Sequence, residues 1–189
     1  MIKVKMLIIL LFLIIINTKV EAHPHIFIDY KATVIFDNNG LKKIKMNWNM
    51  DDITSSNFFD EFDLNKDKIL DSKELNNIKN TTLNNLKKDN YFINIKVNDK
   101  ENLPIRINDF KVFYESNLIK YSFLLDCNIK GTKKENKIEI KINDKSNYVA
   151  FNPIDKKVIY ESSPKITLKN IENNSDYEQI ILFKFSEKK

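Results

Sequence analysis

Residues 26–49 read IFIDYKATVIFDNNGLKKIKMNWN, and this stretch decides the fold class. Ile26, Ile28, Tyr30, Ala32, Val34 and Phe36 recur at every second position, the period of a strand with one face turned inward. Asp37-Asn38-Asn39-Gly40 then interrupts the pattern, and Asn-Gly is a strong hairpin turn because both residues tolerate positive φ. Leu41 to Asn49 returns with Ile44, Met46 and Trp48 on one face. A β-hairpin is therefore expected to open the folded part of the chain.

Working outward toward the carboxyl end, strand patterns resume at Tyr91 to Val97, Ile105 to Tyr114, Leu118 to Ile129, Lys137 to Ile142, Asn147 to Phe151, Ile166 to Ile171 and Gln179 to Phe185. Between the hairpin and these strands, residues 55–88 or so lose the alternation and take helical spacing. Phe58, Phe59 and Phe62 lie at helical intervals, as do Leu75, Ile78 and Leu86. Thr54, Ser55 and Ser56 are candidate caps for the entering helix, and the Lys87-Lys88 pair suits the end of the exit helix. The expectation is an α+β fold, an antiparallel β-sandwich-like domain carrying an inserted helix–loop–helix.

The loop of that insert is the most specific motif in the chain. Asp63 to Glu74 read DLNKDKILDSKE, which is the ligand order of an EF-hand calcium loop. Calcium takes six to eight hard oxygens. The loop offers Asp63 at position 1, Asn65 at 3, Asp67 at 5, the carbonyl of Ile69 at 7, Asp71 at 9 and Glu74 at 12, with Leu70 at position 8 expected to turn inward. Lys68 stands at position 6, where glycine normally supplies φ > 0, at a cost of about 1 kcal/mol or more. The alternative reading is an acidic turn whose charges are solvated.

Toward the amino end, Lys3 and Lys5 precede an apolar run from Met6 to Ile16 and the small-residue site Val20-Glu21-Ala22. This is the pattern of a secretory signal peptide over residues 1–22. The apolar run is shorter than the 20 or so residues that span a bilayer, and no second run approaches that length. Residues 23–189 then form a single exported, periplasmic domain that does not span the membrane, long enough for a sizeable core.

Net charge is +5, and Arg106 is the only arginine among the 31 basic residues. The lysines are interspersed with acids and accompany no exposed aromatic run, so nucleic acid is not an expected partner. The single cysteine, Cys127, excludes an internal disulfide, and its place in the alternation of YSFLLDCNI reads as a buried thiol. Gly40 and Gly131 are the only glycines, which excludes a glycine-rich phosphate loop. Trp48 and Tyr148 read as core or sheet-surface aromatics.

His23 and His25, the only histidines, stand at positions 1 and 3 of the expected mature chain. Removal of Ala22 would give His23 a free α-amine beside its imidazole, and His25 a place as third nitrogen donor. Such donors suit copper, nickel, zinc or cobalt. Pro24 lacks the amide proton that a square-planar amino-terminal copper site deprotonates. The bland alternative is a frayed terminus and a polar first-strand residue. Asp29 shares the strand face of His25 whether or not metal is present.

With the HPHIFID start, the hairpin, Trp48, the acidic loop, DNYF at 89–92 and YVAF at 148–151 in this order, the chain resembles domain of unknown function family 1007. That family is also described as the periplasmic component of an uncharacterised ABC-type transport system. The resemblance implies export and an association with transition-metal transport, including a membrane metal transporter as partner. His23 and His25 match the family's amino-terminal pair, and Asp63, Asn65, Asp67, Asp71 and Glu74 its acidic loop. Asn47 and Asn49 stand where relatives tend to have histidine beside the tryptophan.

The functional expectation is an exported calcium-binding protein acting as a binding or accessory component of metal-ion transport, with calcium structural. The alternative is a calcium-stabilised interaction module without a transition metal. No enzyme is expected, because any histidine-dependent nucleophile would have to use the amino-terminal pair.

Overall fold

The computed structural model describes residues 24–100, 103–146, 148–155, 159–174 and 179–188. The expected leader, residues 1–22, and His23 lie outside the described residues.

The chain is mostly β. Strand β1 (Ile26–Asp37) and β2 (Gly40–Met50) form the expected hairpin, followed by helices α1 (Asp52–Phe62) and α2 (Ser72–Leu86) and a 3₁₀ segment (Lys87–Phe92). Eight strands complete the described chain: β3 (Ile93–Val97), β4 (Ile107–Glu115), β5 (Leu118–Lys130), β6 (Asn136–Ile142), β7 (Val149–Pro153), β8 (Ile159–Glu161), β9 (Ile166–Asn174) and β10 (Gln179–Glu187). One sheet runs β4-β5-β2-β1-β7 with β8 also on β1, and the other runs β3-β6-β10-β9.

The hairpin closes because Asp37 Oδ1 accepts the N–H groups of Asn39 and Gly40 at 2.7 and 3.1 Å. Gly40 sits at φ 142°, and a Cβ there would stand 2.2 Å from the Ile129 carbonyl oxygen, so only glycine fits. The alternating residues of β1 face inward as expected, with Ile28, Tyr30, Val34 and Phe36 buried. Phe36 meets Phe183 and Phe185 of the opposite sheet at ring distances of 6.1 and 5.2 Å, so the two sheets share one core. Trp48 is fully buried against Phe123 and Phe151, with its indole N–H unpaired, whereas Tyr148 is half exposed. Cys127 is buried as expected, and burial followed by the neighbouring Asp126 charge pushes its thiol pKa up to about 12.

Two expectations need correction, and one strand was not foreseen. The sheets are not wholly antiparallel: β7 and β8 both run parallel to β1. Alternation encodes a buried face but not strand direction, and β7 starts beside the start of β1, with Val149 in register with Ile26. Tyr91 and Phe92 are not in a strand. Asn90, Tyr91 and Phe92 take φ of 50, 56 and 55°, held by the Asn143 N–H on the Phe92 carbonyl and the Asn90 amide on the Ile93 carbonyl. β8, only three residues long, escaped the pattern altogether.

Candidate metal centre

Asp51, rather than Thr54, Ser55 or Ser56, caps α1. Its carboxylate accepts the Thr54 N–H at 2.8 Å and the Thr54 hydroxyl at 2.7 Å, and Phe27 of β1 donates to it at 2.8 Å. The Asp51 N–H returns a bond to the Phe27 carbonyl at 3.0 Å, so the helix start is bound to the first strand in both directions. Partial burial raises the Asp51 pKa, and the hydrogen bonds from Thr54, Phe27 and Ile53 more than reverse this and leave it below the ordinary carboxylate value.

Two buried hydroxyls seat the insert on the sheet. Ser55 accepts the Ile119 N–H of β5 at 3.0 Å and reaches the Met50 carbonyl at 3.5 Å. Thr82 of α2 shares a hydrogen bond of 3.1 Å with Tyr121. Apolar contacts follow the helical spacing, with Phe62 and Ile78 buried and Phe58, Phe59, Leu75 and Leu86 packed against the core.

Between the helices, the loop is closed by its own carboxylates. Asp63 Oδ2 accepts the Lys68 N–H at 3.0 Å, and Asn65 Oδ1 accepts the Asp67 N–H at 2.9 Å. Asp67 Oδ1 takes the Ile69 N–H at 2.9 Å. Asp71 caps α2 by accepting from Lys73 and Glu74, and Glu74 completes a capping box with the Asp71 N–H at 3.0 Å. The other Glu74 oxygen reaches back across the loop to the Leu64 N–H at 2.8 Å. Lys68 at position 6 takes φ 66°, the backbone conformation that the glycine position requires, and Leu70 at position 8 is buried.

Position 1 and position 12 are the buried ends of this arrangement. Asp63 and Glu74 are 8% and 5% exposed, whereas Ile69 at position 7 is 64% exposed. Asp63 Oδ1 is buried with no hydrogen-bond partner. A buried carboxylate oxygen without a protein donor is costly unless a cation or an ordered water meets it. The donor set, four carboxylates and an amide within twelve residues, suits a hard cation. No three His, Cys, Asp or Glu side chains among the described residues form a ready-made metal cage. Here the carboxylates are turned onto backbone N–H groups instead.

The expected histidine site is split by the bounds of the described residues. His25 is exposed at the entry to β1, its N–H on the Tyr148 carbonyl at 2.9 Å and its ring 5.0 Å from that of Tyr148. Asp29 lies on the same outward face and accepts from Asn152 at 3.5 Å. Sequence reasoning missed the cleft beside this point, about 530 Å³, lined in part by Lys88, Asn90, Phe92 and Tyr148. Asp144 shapes one wall by accepting from Ser146, Tyr148 and Val149; partial burial raises its pKa, and these bonds outweigh burial and lower it.

A family model described as "Protein of unknown function (DUF1007)" matches residues 8–180. No curated protein matches the chain.

Proposed function

The chain belongs to the DUF1007 family, whose function is unknown, and on that footing we propose that it is an exported calcium-binding protein in which calcium clamps an EF-hand-like hairpin onto a β-sandwich. The observation that carries this reading is the buried, unpaired Oδ1 of Asp63 at the first position of a loop whose sixth residue already has φ 66°. Asp63, Asn65, Asp67, Asp71, Glu74 and the Ile69 carbonyl would hold the ion, with Glu74 exchanging backbone N–H groups for it.

Calcium supplies charge neutralisation and stiffness here, not a switch. A sensor needs a groove that opens, whereas both helices are seated on the sheet through Ser55 and Thr82. Extracellular calcium modules work at about 10⁻⁴ to 10⁻³ M. A site of this strength adds about 1 kcal/mol of stability at millimolar calcium, because binding to the folded form alone shifts the folding equilibrium. Thermal unfolding in EGTA and in millimolar calcium tests this: the midpoint should rise with calcium, and an unchanged midpoint would remove the proposal.

A second reading, favoured by the exposed His25 imidazole at the start of β1, adds a transition metal. In it, His23 and His25 hold copper, nickel, zinc or cobalt, and the protein serves a membrane metal transporter as a periplasmic accessory. Native mass spectrometry of the exported protein should then show a chain starting at His23 with one such metal besides calcium. A chain that stays free of these metals after titration would leave a calcium-stabilised interaction module.

A further inference from the structure

The lysines, interspersed with acids along the sequence, are gathered by the topology. In the second sheet Lys184 of β10 stands in register with Lys137 of β6 on one side and Lys169 of β9 on the other. Phe183 and Phe185 point into the core, so this three-lysine row lies on the sheet's outer face. Like charges directly opposite one another destabilise a sheet. Edge protection does not account for the row, because Lys184 is on an interior strand. Asp99 pairs with Lys137 and Glu135 with Lys169; among the described residues Lys184 makes no ion pair, though it lies within electrostatic reach of Glu135.

The row continues into the end of the molecule. The Glu187 N–H donates to the Thr132 carbonyl at 2.9 Å, and the Lys188 N–H to the Lys165 carbonyl at 2.8 Å. These bonds bring the exposed Lys133, Lys134, Lys165 and Lys188 to the foot of the same sheet, none of them in an ion pair among the described residues. The acids on or beside this face are Asp99, Glu135 and Glu139, each paired with a lysine, and Glu187.

We infer that this face is a docking surface for an anionic phospholipid membrane. A cluster of four to eight lysines is the size that binds anionic lipid by charge. The row and the foot together hold seven and, among the described residues, carry none of the exposed large hydrophobic side chains. Protein interfaces, by contrast, have cores rich in aromatic residues and poor in lysine. Lysine, a point charge without fork geometry, suits a fluid array of phosphates that needs no fixed register. Docking leaves the acidic helix–loop–helix free, because that insert links β2 of the other sheet to the start of β3, which lies beside Ile142 at the end of this sheet away from Lys133 and Lys134.

The test is co-sedimentation of the purified exported protein with phosphatidylcholine vesicles, with and without phosphatidylglycerol, in EGTA so that calcium cannot bridge acidic groups to lipid. Binding should require phosphatidylglycerol and disappear in high salt. Lys133→Gln with Lys134→Gln, and separately Lys169→Gln with Lys184→Gln, should each weaken it by about thirtyfold with the melting temperature preserved, at roughly a kcal/mol per lysine. Lys43→Gln with Lys45→Gln, on the other sheet, should leave it unchanged. Equal binding to neutral vesicles, no binding to anionic ones, or equal loss in the control pair would overturn the inference. Retention by an acidic polypeptide with no vesicle binding would assign the face to a protein partner instead.

Discussion

Lys68 donates its backbone N–H to Asp63 Oδ2 at 3.0 Å while holding φ 66°, so the residue that breaks the loop's glycine rule still makes the turn that closes on Asp63. The side chain strains the turn without unmaking it.

Replacing Lys68 with glycine should therefore help. Relief of the left-handed strain is partly offset by the greater freedom of glycine in the unfolded chain, leaving a gain of about 0.5 to 1 kcal/mol. Urea denaturation in EGTA should show that gain, and calcium affinity should rise or hold. A loss of stability would mean that the Lys68 side chain contributes contacts that outweigh the strain.

The insert's seat on the sheet should be sensitive to one buried hydroxyl. Ser55→Ala removes the acceptor of the Ile119 N–H, and a buried donor left unpaired costs about 1 to 3 kcal/mol. Thr82→Val should cost a similar amount, because it leaves the buried Tyr121 hydroxyl without that partner. Burial, opposed by the Thr82 bond, pushes the Tyr121 pKa up to about 12, so its phenol should stay protonated in alkaline titrations well past the ordinary tyrosine value of about 10.

Asp51 should contribute to stability in a pH-dependent way. Its folded pKa lies below the ordinary carboxylate value, so its contribution is present above the unfolded pKa and fades as pH falls through the folded one. Asp51→Ala should cost about 1 kcal/mol at neutral pH as a lost helix cap. The difference from the native chain should shrink in acid denaturation below pH ~3.8. A deficit that stays constant across that range would show that the cap acts without its charge.

Cys127 should resist thiol reagents at pH 8, since a pKa of about 12 leaves almost no thiolate and burial denies access. Labelling should begin only when the protein unfolds, which makes this thiol a reporter of opening between the sheets. Fast labelling of the native protein would show that β5 opens readily.

Much of this was legible in the chain. Period-two alternation located β1, β2 and β5 because each has one buried face, and helical spacing located Phe62 and Ile78 on the insert. The loop order found Asp63 and Glu74, the two acids that are buried among the described residues. What alternation does not carry is direction, so the parallel pairing of β7 and β8 with β1 was invisible. Asp51 was passed over because three hydroxyl residues beside it looked like caps, and only the Phe27 contact, a long-range one, distinguishes it. The lysine row was hidden for the same reason: Lys137, Lys169 and Lys184 are distant in sequence and meet only through register.

The measurement that bears most directly on the calcium clamp is isothermal titration of calcium into the EGTA-stripped, dialysed protein, with Asp63→Asn beside it. The native chain should bind one calcium per molecule in the range of about 10⁻⁴ to 10⁻³ M. Asp63→Asn should bind none while melting at the same temperature or slightly higher in EGTA, since it removes a buried charge with an unpaired oxygen. A native chain that takes up no calcium at millimolar concentration, or an Asp63→Asn protein that binds it equally well, would contradict the account.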